Sequence, residues 1–346
     1  MIEYLLRFFS KTQPRKASVL RQVLINKKTG SVLYWAFRYD YLDYLNLYPQ
    51  LNITEYNQSI DLLIKKGYLK KTSAGEILTN EGANQLKYFS KRHYFIERPD
   101  LFQRYDYELW NAILLILVQV ASEFSYHNHQ YYVASENLQA QFLVKKWLGH
   151  FGFETLKGEI QNLLLVFLDN QVELKANVFA AKLIGHQQNG LTNQQIAIQL
   201  QLAETDVELI WRDLSLQFAD FLINQTTPLK KLVEMTQLPG ILSNSIYETK
   251  RLFSLGLNVE QISSKRHLKV STVEEHLIIL AISDVHFPFN LFLSTDEMEF
   301  LNKVFKTTDI DKWSYHILAN QGKEIPFIKF RLYAIMRTHD ERRKSI

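Results

Sequence analysis

Between residues 256 and 277 the sequence GLNVEQISSKRHLKVSTVEEHL gathers Lys265, Arg266, Lys269, Ser271 and Thr272 into a short span. Cations of this kind neutralise phosphate, and hydroxyls at a helix start donate to phosphate oxygens or base edges. In a groove-reading mode Lys269, Ser271 and Thr272 lie nearest the duplex, while Lys265 and Arg266 take phosphates. Glu274 and Glu275 oppose this electrostatically, although a carboxylate can accept from a cytosine amino group. A second basic cluster, Lys65, Lys66, Lys70 and Lys71, suits backbone contact with DNA. It also suits a solvated helix end, where the dipole favours cations anyway.

Catalytic chemistry finds no comparable set. There is no G-x-x-x-x-G-K-[ST] loop and no G-x-G-x-x-G, so neither phosphate cradle is present. The chain has no cysteine, which excludes disulfides, thiolate metal sites and a cysteine nucleophile and fits a reducing, cytoplasmic setting. His127-Asn128-His129 has the letters of an HNH nuclease without its other ligands and reads as a surface loop. Asp296, Glu297 and Glu299 suit a helix N-terminus. His339-Asp340-Glu341 falls near a charged end, ERRKSI, read as frayed. The expectation is a non-catalytic protein with no metal and no cofactor.

The basic span needs a helix-turn-helix to position it. Ile262, Leu268, Val273 and Leu277 are the apolar anchors. A first helix over about 259–266 buries Val259 and Ile262, with small Ser263 at the helix crossing, and Leu268 plugs the turn. A second helix starting near Val270 or Ser271 buries Val273 and Leu277 on one face. Ser271 and Glu274 have capping-box spacing, and Gly256 suits the stop of a helix over 246–255. A second such unit lies within residues 178–214. Its GLTNQQIAIQLQLAETDVELIW aligns without gaps at an offset of 66, through an internal repeat or a shared packing rule. Its second helix carries Glu204, Asp206, Glu208 and Asp213, which phosphate would repel, so that copy reads as structural or protein-binding.

The rest of the chain is predominantly helical in pattern, and its sparse glycine and proline favour helices. Residues 15–90 resemble a winged helix. Residues 17–25 form a short helix, and an aromatic stretch over 30–45 reads as core rather than a stacking platform. Thr54 then caps a helix with Ile60, Leu63 and Ile64 inside, a hairpin turns around Ser73–Gly75, and Thr79 caps a helix over 81–89. Residues 92–105 read as a linker through Pro99. Strong helical segments follow at 107–121, 136–149 and 155–170. The apolar run 113–121 is too short to span a bilayer, and the N-terminus lacks signal-peptide features. Tail helices are expected over 296–305, capped by Ser294 or Thr295, over 312–319 and over 327–338. The fold class is therefore mainly α and multi-domain. Residues 1–91 form a basic winged-helix-like domain, 92–243 a helical domain with the second helix-turn-helix, and 244–346 a C-terminal helix-turn-helix domain. Residues 1–100 carry 16 Lys+Arg against 9 Asp+Glu, 101–243 carry 9 against 14, and 244–346 carry 15 against 13. The ends therefore attract phosphate and the middle repels it.

Residues 249–280, TKRLFSLGLNVEQISSKRHLKVSTVEEHLIIL, and the later IPFIKFRLYAIM, 325–336, resemble the helicase helix-turn-helix domain found at the C-terminus of RecQ-type helicases. In length and layout the chain resembles the YpbB-like helix-turn-helix proteins of Gram-positive bacteria more than a helicase. The specific match is confined to the C-terminal third. This resemblance implies two partners, DNA and a RecQ-type helicase, and a non-catalytic accessory role in DNA repair or recombination. The oligomeric state and the preferred DNA are left open. Two other roles fit the same modules: a helix-turn-helix transcription regulator, and a protein-interaction adaptor without DNA contact.

Overall fold

The computed structural model describes residues 2–305, 309–321 and 324–344, and it is mainly helical, as the sequence predicts. The N-terminal half contains α1 (Ala17–Leu24), α2 (Gly30–Arg38), α3 (Ile53–Lys65), β1 (Leu69–Lys71), β2 (Glu76–Leu78), α4 (Asn80–Ser90), α5 (Tyr107–Ser125), α6 (Leu138–Phe151) and α7 (Phe153–Asp169). There follow α8 (Glu173–Lys182), α9 (Asn193–Leu200), α10 (Glu204–Ile223), α11 (Lys230–Glu234), α12 (Asn244–Ser254), α13 (Val259–Arg266), α14 (Val270–Ser283), α15 (Thr295–Phe305) and α16 (Phe327–Lys344). The chain forms two compact units. Unit 1 holds residues 1–17 and 43–238, and unit 2 holds 18–42 and 239–346.

In unit 1, α5 is the central helix and packs on α6, α7 and α10. At 19 residues it is long and apolar enough to cross a membrane by length and composition, although the apolar run within it is shorter. Its apolar surface is spent inside the unit, where Trp110, Ile113, Leu114 and Leu117 are fully enclosed. The hairpin forms as predicted, with Leu69 opposite Leu78, and Arg15 bridges to Glu76 beyond it. Thr79 caps α4 by accepting from the Gly82 amide at 2.9 Å. A side chain on Gly82 would place its Cβ 2.1 Å from the Tyr68 carbonyl oxygen, so only glycine permits this exit from the hairpin. The cap of α3 is Asn52 rather than Thr54. Its Oδ1 accepts from the Thr54 and Glu55 amides, and asparagine is the stronger capping type.

The expected linker over 92–105 is no free tether. Residues 93–98 lie along α10, held by two buried carboxylates. Asp213 accepts from the Tyr94 hydroxyl at 2.5 Å and from the Glu97 and Arg98 amides at 2.6 and 3.3 Å. Asp206 accepts from the Tyr4 hydroxyl and the Tyr94 amide, and meets His93 Nδ1 at 3.0 Å. Two acids that the sequence sets against phosphate are thus interior acceptors.

In unit 2, α14 is apolar all round from Leu277 to Ile282, and every one of those side chains is buried. A helix with no polar face needs neighbours on every side. Here they are α2, α12, α13 and α16. Residues 18–42, which the sequence groups with an N-terminal domain of 1–91, therefore complete the C-terminal unit. The aromatic stretch is core as expected: Tyr34, Phe37, Tyr39 and Tyr41 are buried. The Arg331 guanidinium stacks 3.8 Å from the Tyr34 ring centroid. Ser294 and Glu297 cap α15 reciprocally. The expected helix over 312–319 is instead two short 3-10 turns, Ile310–Lys312 and Tyr315–Asn320. The closing helix runs to Lys344 instead of ending at Thr338, because His339 is buried and bonded to the Ala281 carbonyl at 2.8 Å. Glu341 is paired with Arg38 at 2.7 Å. Ser345 and Ile346, the last residues of the expected frayed end, lie outside the described residues.

Candidate nucleic-acid interface

The helix-turn-helix at α13–α14 forms where the sequence places it. Gly256 closes α12 with φ of 86°, and its amide donates to the Phe253 carbonyl at 2.9 Å. Asn258 and Gln261 cap α13 reciprocally, side chain to backbone, at 2.8 and 2.9 Å. The turn passes through His267 in the left-handed region at φ 53°. Ile262, Val273 and Leu277 are buried as anchors, whereas Leu268 in the turn is only half-buried.

The earlier copy has the same local geometry. Thr192 and Gln195 form the matching box on α9, and Gln201 takes the left-handed turn at φ 55°. The limits of α9 and the start of α10 equal those of α13 and α14 at the offset of 66. The two second helices differ in charge. The first turn of α10 contains Glu204 and Asp206, while the first turn of α14 contains no acid. No side chain caps α14, so its first amides and the positive end of its dipole remain open to an anion.

Around that open end Lys269, Val270 and Ser271 are exposed, Thr272 is half-buried, and Lys265 is exposed on the last turn of α13. The two acids that complicate this face are partly turned away. The Glu275 carboxylate accepts from the Gly30 amide at 2.8 Å, capping α2. Glu274 is half-buried, and burial followed by the nearby Glu260 charge pushes its carboxyl up. Unit 2 carries 19 Lys+Arg against 14 Asp+Glu, and unit 1 carries 21 against 22. The basic excess of the chain therefore lies in the unit that holds this face.

Arg266 is placed differently from the other four residues. Its guanidinium donates to the Ser245 carbonyl at 2.7 Å, to the Ser245 hydroxyl at 2.9 Å, and to Thr249 Oγ1. Thr249 in turn lies 2.7 Å from His276 Nδ1. Burial first, and then the Arg266 charge, depress that histidine below its ordinary value of 6.5. Arg266 thus ties α12 to the helix-turn-helix. Replacing it by alanine is expected to cost about 1–3 kcal/mol of stability, read by urea unfolding. An unchanged midpoint would return Arg266 to the phosphate-binding set.

His339 is likewise depressed by burial. Both histidines bind protons less readily folded than unfolded, so their contribution is fully present above pH 6.5 and is lost as pH falls below it. The expected result is a thermal midpoint that drops between pH 7 and pH 5, with a smaller drop in the His276→Gln variant. An equal drop would remove His276 from that linkage.

The second cluster belongs to unit 1. Lys65 and Lys66 end α3, and Lys70 and Lys71 lie on β1. All four are exposed. Lys66 pairs with Glu3 at 3.2 Å. Successive strand residues face opposite ways, so Lys70 and Lys71 do not form one surface. Of the HNH letters, Asn128 donates to the Glu123 carboxylate at 2.7 Å, and the same carboxylate holds His186 Nδ1 at 2.7 Å, a clasp internal to unit 1. Sequence reasoning overlooked the reciprocal cap of Asn258 and Gln261, and it read Glu275 only as a charge opposing phosphate, not as the cap of α2. The first two carry a legible capping signal, N-x-x-Q before an apolar run, while Glu275 has none.

Residues 245–334 match a family model described as a helix-turn-helix domain. Over 294 residues, 82% of this chain and 82% of the relative, the sequence is 24% identical to Protein YpbB of Bacillus subtilis (strain 168). No solved structure matches the chain. Unit 2 thus carries, from α12 into α16, a helix-turn-helix domain of the kind associated with DNA binding, in a chain similar over most of its length to Protein YpbB.

Proposed function

We propose that this protein is a non-catalytic, cytoplasmic DNA-binding accessory of a RecQ-type helicase. The observation that carries DNA binding is the open N-terminus of α14, free of acids in its first turn and flanked by exposed Lys265, Lys269 and Ser271. A second helix presented this way enters the major groove with its first residues toward the bases. The helicase assignment rests on the likeness of residues 249–280 and 325–336 to the helicase helix-turn-helix domain. Binding DNA through unit 2 and the motor protein elsewhere would raise the local concentration of the helicase at its substrate. In this reading the exposed lysines at the end of α3 and on β1 add backbone contacts from unit 1.

The test is co-elution with the RecQ-type helicase of the same organism and its unwinding of forked DNA with and without this protein. Complex formation with enhanced unwinding supports the assignment. Absence of both removes the helicase from the reading and leaves DNA binding to stand separately. A defined operator, bound far more tightly than other sequences, would instead make the protein a transcription regulator.

A further inference from the structure

In unit 1, α6 and α11 border an open groove of about 510 Å³. Its floor is apolar, formed by Leu143, Trp147, Phe151, Leu232 and Met235. Met235 is 60% exposed, and on α6 Leu138 and Phe142 are 79% and 64% exposed. Leu138, Phe142, Lys146 and Gly149 follow one another at helical spacing, so the apolar floor continues along one face of α6. Lys146, His150 and Lys231 line the groove, and no acid does. Lys145 and Lys230 adjoin them in sequence. Four of the nine Lys and Arg residues of the acidic stretch 101–243 are thus gathered here. Among the described residues the lysine ion pairs are those of Lys66, Lys175, Lys250 and Lys329. Lys145, Lys146, Lys230 and Lys231 therefore have no carboxylate counter-ion among the described residues.

Gly149 supplies an independent observation. It lies inside α6, where glycine weakens a helix relative to alanine. A Cβ there would meet nothing within 4 Å, so packing within the unit gives no reason for a glycine. Its missing side chain leaves the groove open.

We propose that this groove docks a short acidic segment of a partner protein through one large apolar side chain. That side chain enters over Gly149 onto Trp147 and Leu232, and flanking carboxylates meet Lys145, Lys146, Lys230 and Lys231. A protein segment fits better than a nucleic acid. Of the two aromatics in the floor, Trp147 is buried with its indole N–H donated to the Pro228 carbonyl at 2.9 Å, and the Phe151 ring is covered by Lys231 Nζ at 4.9 Å from its centroid, so neither offers an open ring for base stacking. This inference is independent of DNA binding by unit 2.

The experiment measures fluorescence-polarisation binding of the full chain to a synthetic aspartate-rich peptide with one central phenylalanine. The same peptide with serine at that position and a single-stranded oligothymidine serve as comparisons. The phenylalanine peptide is expected to bind. Its affinity should fall by about tenfold or more with serine in the peptide, in the Lys146→Glu/Lys231→Glu variant, and in Gly149→Leu. Gly149→Leu should melt no lower than the native protein and keep its DNA binding. Failure of the phenylalanine peptide to bind, equal binding of the serine peptide, or undiminished binding by Gly149→Leu would overturn the proposal. Preferential binding of oligothymidine, lost in the same variants, would overturn it in favour of nucleic acid.

Discussion

Replacing Asp213 by alanine lowers the stability of unit 1 by about 3–5 kcal/mol, because one buried hydroxyl and two amides lose their acceptor at about 1–3 kcal/mol each. The carboxylate is fully enclosed and accepts from one hydroxyl and two amides. Removing it strands all three donors on the path from α4 to α5. Burial alone still pushes the Tyr94 hydroxyl up, so it stays a neutral donor left without an acceptor. Asparagine retains one acceptor and should recover part of the loss. Urea unfolding of the two variants checks this. A loss below about 1 kcal/mol, the level of an ordinary hydrogen bond, would mean that the 93–98 segment is held by other contacts. The prediction also bears on the first helix-turn-helix copy. Asp206 and Asp213 are committed to folding, so neutralising those two should unfold unit 1 rather than release a second DNA-binding surface.

The Lys265→Glu/Lys269→Glu variant is expected to weaken duplex binding by about tenfold or more and to flatten the salt dependence. The loss in slope is about 0.9 for each phosphate contact removed. Both lysines are exposed, and neither forms an ion pair among the described residues, so the fold should be indifferent to the change. Ser271→Ala and Thr272→Ala should leave the slope alone and alter discrimination between sequences, since they face base edges. Anisotropy titrations over a salt series separate the two effects. If the charge-reversed variant keeps the native slope, α14 does not approach phosphate through these residues.

The helix-turn-helix was legible because its determinants are local. Ile262, Val273 and Leu277 obey helical spacing, and Gly256 marks a left-handed stop, so the limits of α13 follow from the text alone. The repeat at residues 178–214 was legible for the same reason, and the structure adds paired left-handed turns at Gln201 and His267 that spacing alone did not indicate. What escaped depends on distant partners. Nothing near Gly30 indicates that its amide meets Glu275, or that α2 covers the far side of α14. Arg266 looks like any cation at a helix end until Ser245 and Thr249 are brought beneath it. Asp206 and Asp213 look like surface acids until residues 93–98 cover them. Of the first basic cluster, Lys265, Lys269 and Ser271 are exposed and Thr272 is half-buried at the open end of α14, and Arg266 is bonded to α12.

The most direct test is fluorescence-anisotropy titration of the full chain with duplex, single-stranded and forked DNA at 50 and 200 mM salt. Binding by the open end of α14 predicts saturable binding to the duplex-containing DNAs that weakens steeply with salt, as phosphate neutralisation requires, and that is lost on reversing Lys265 and Lys269. Absence of binding at the lower salt, or binding unaffected by that reversal, would contradict DNA recognition through this helix-turn-helix.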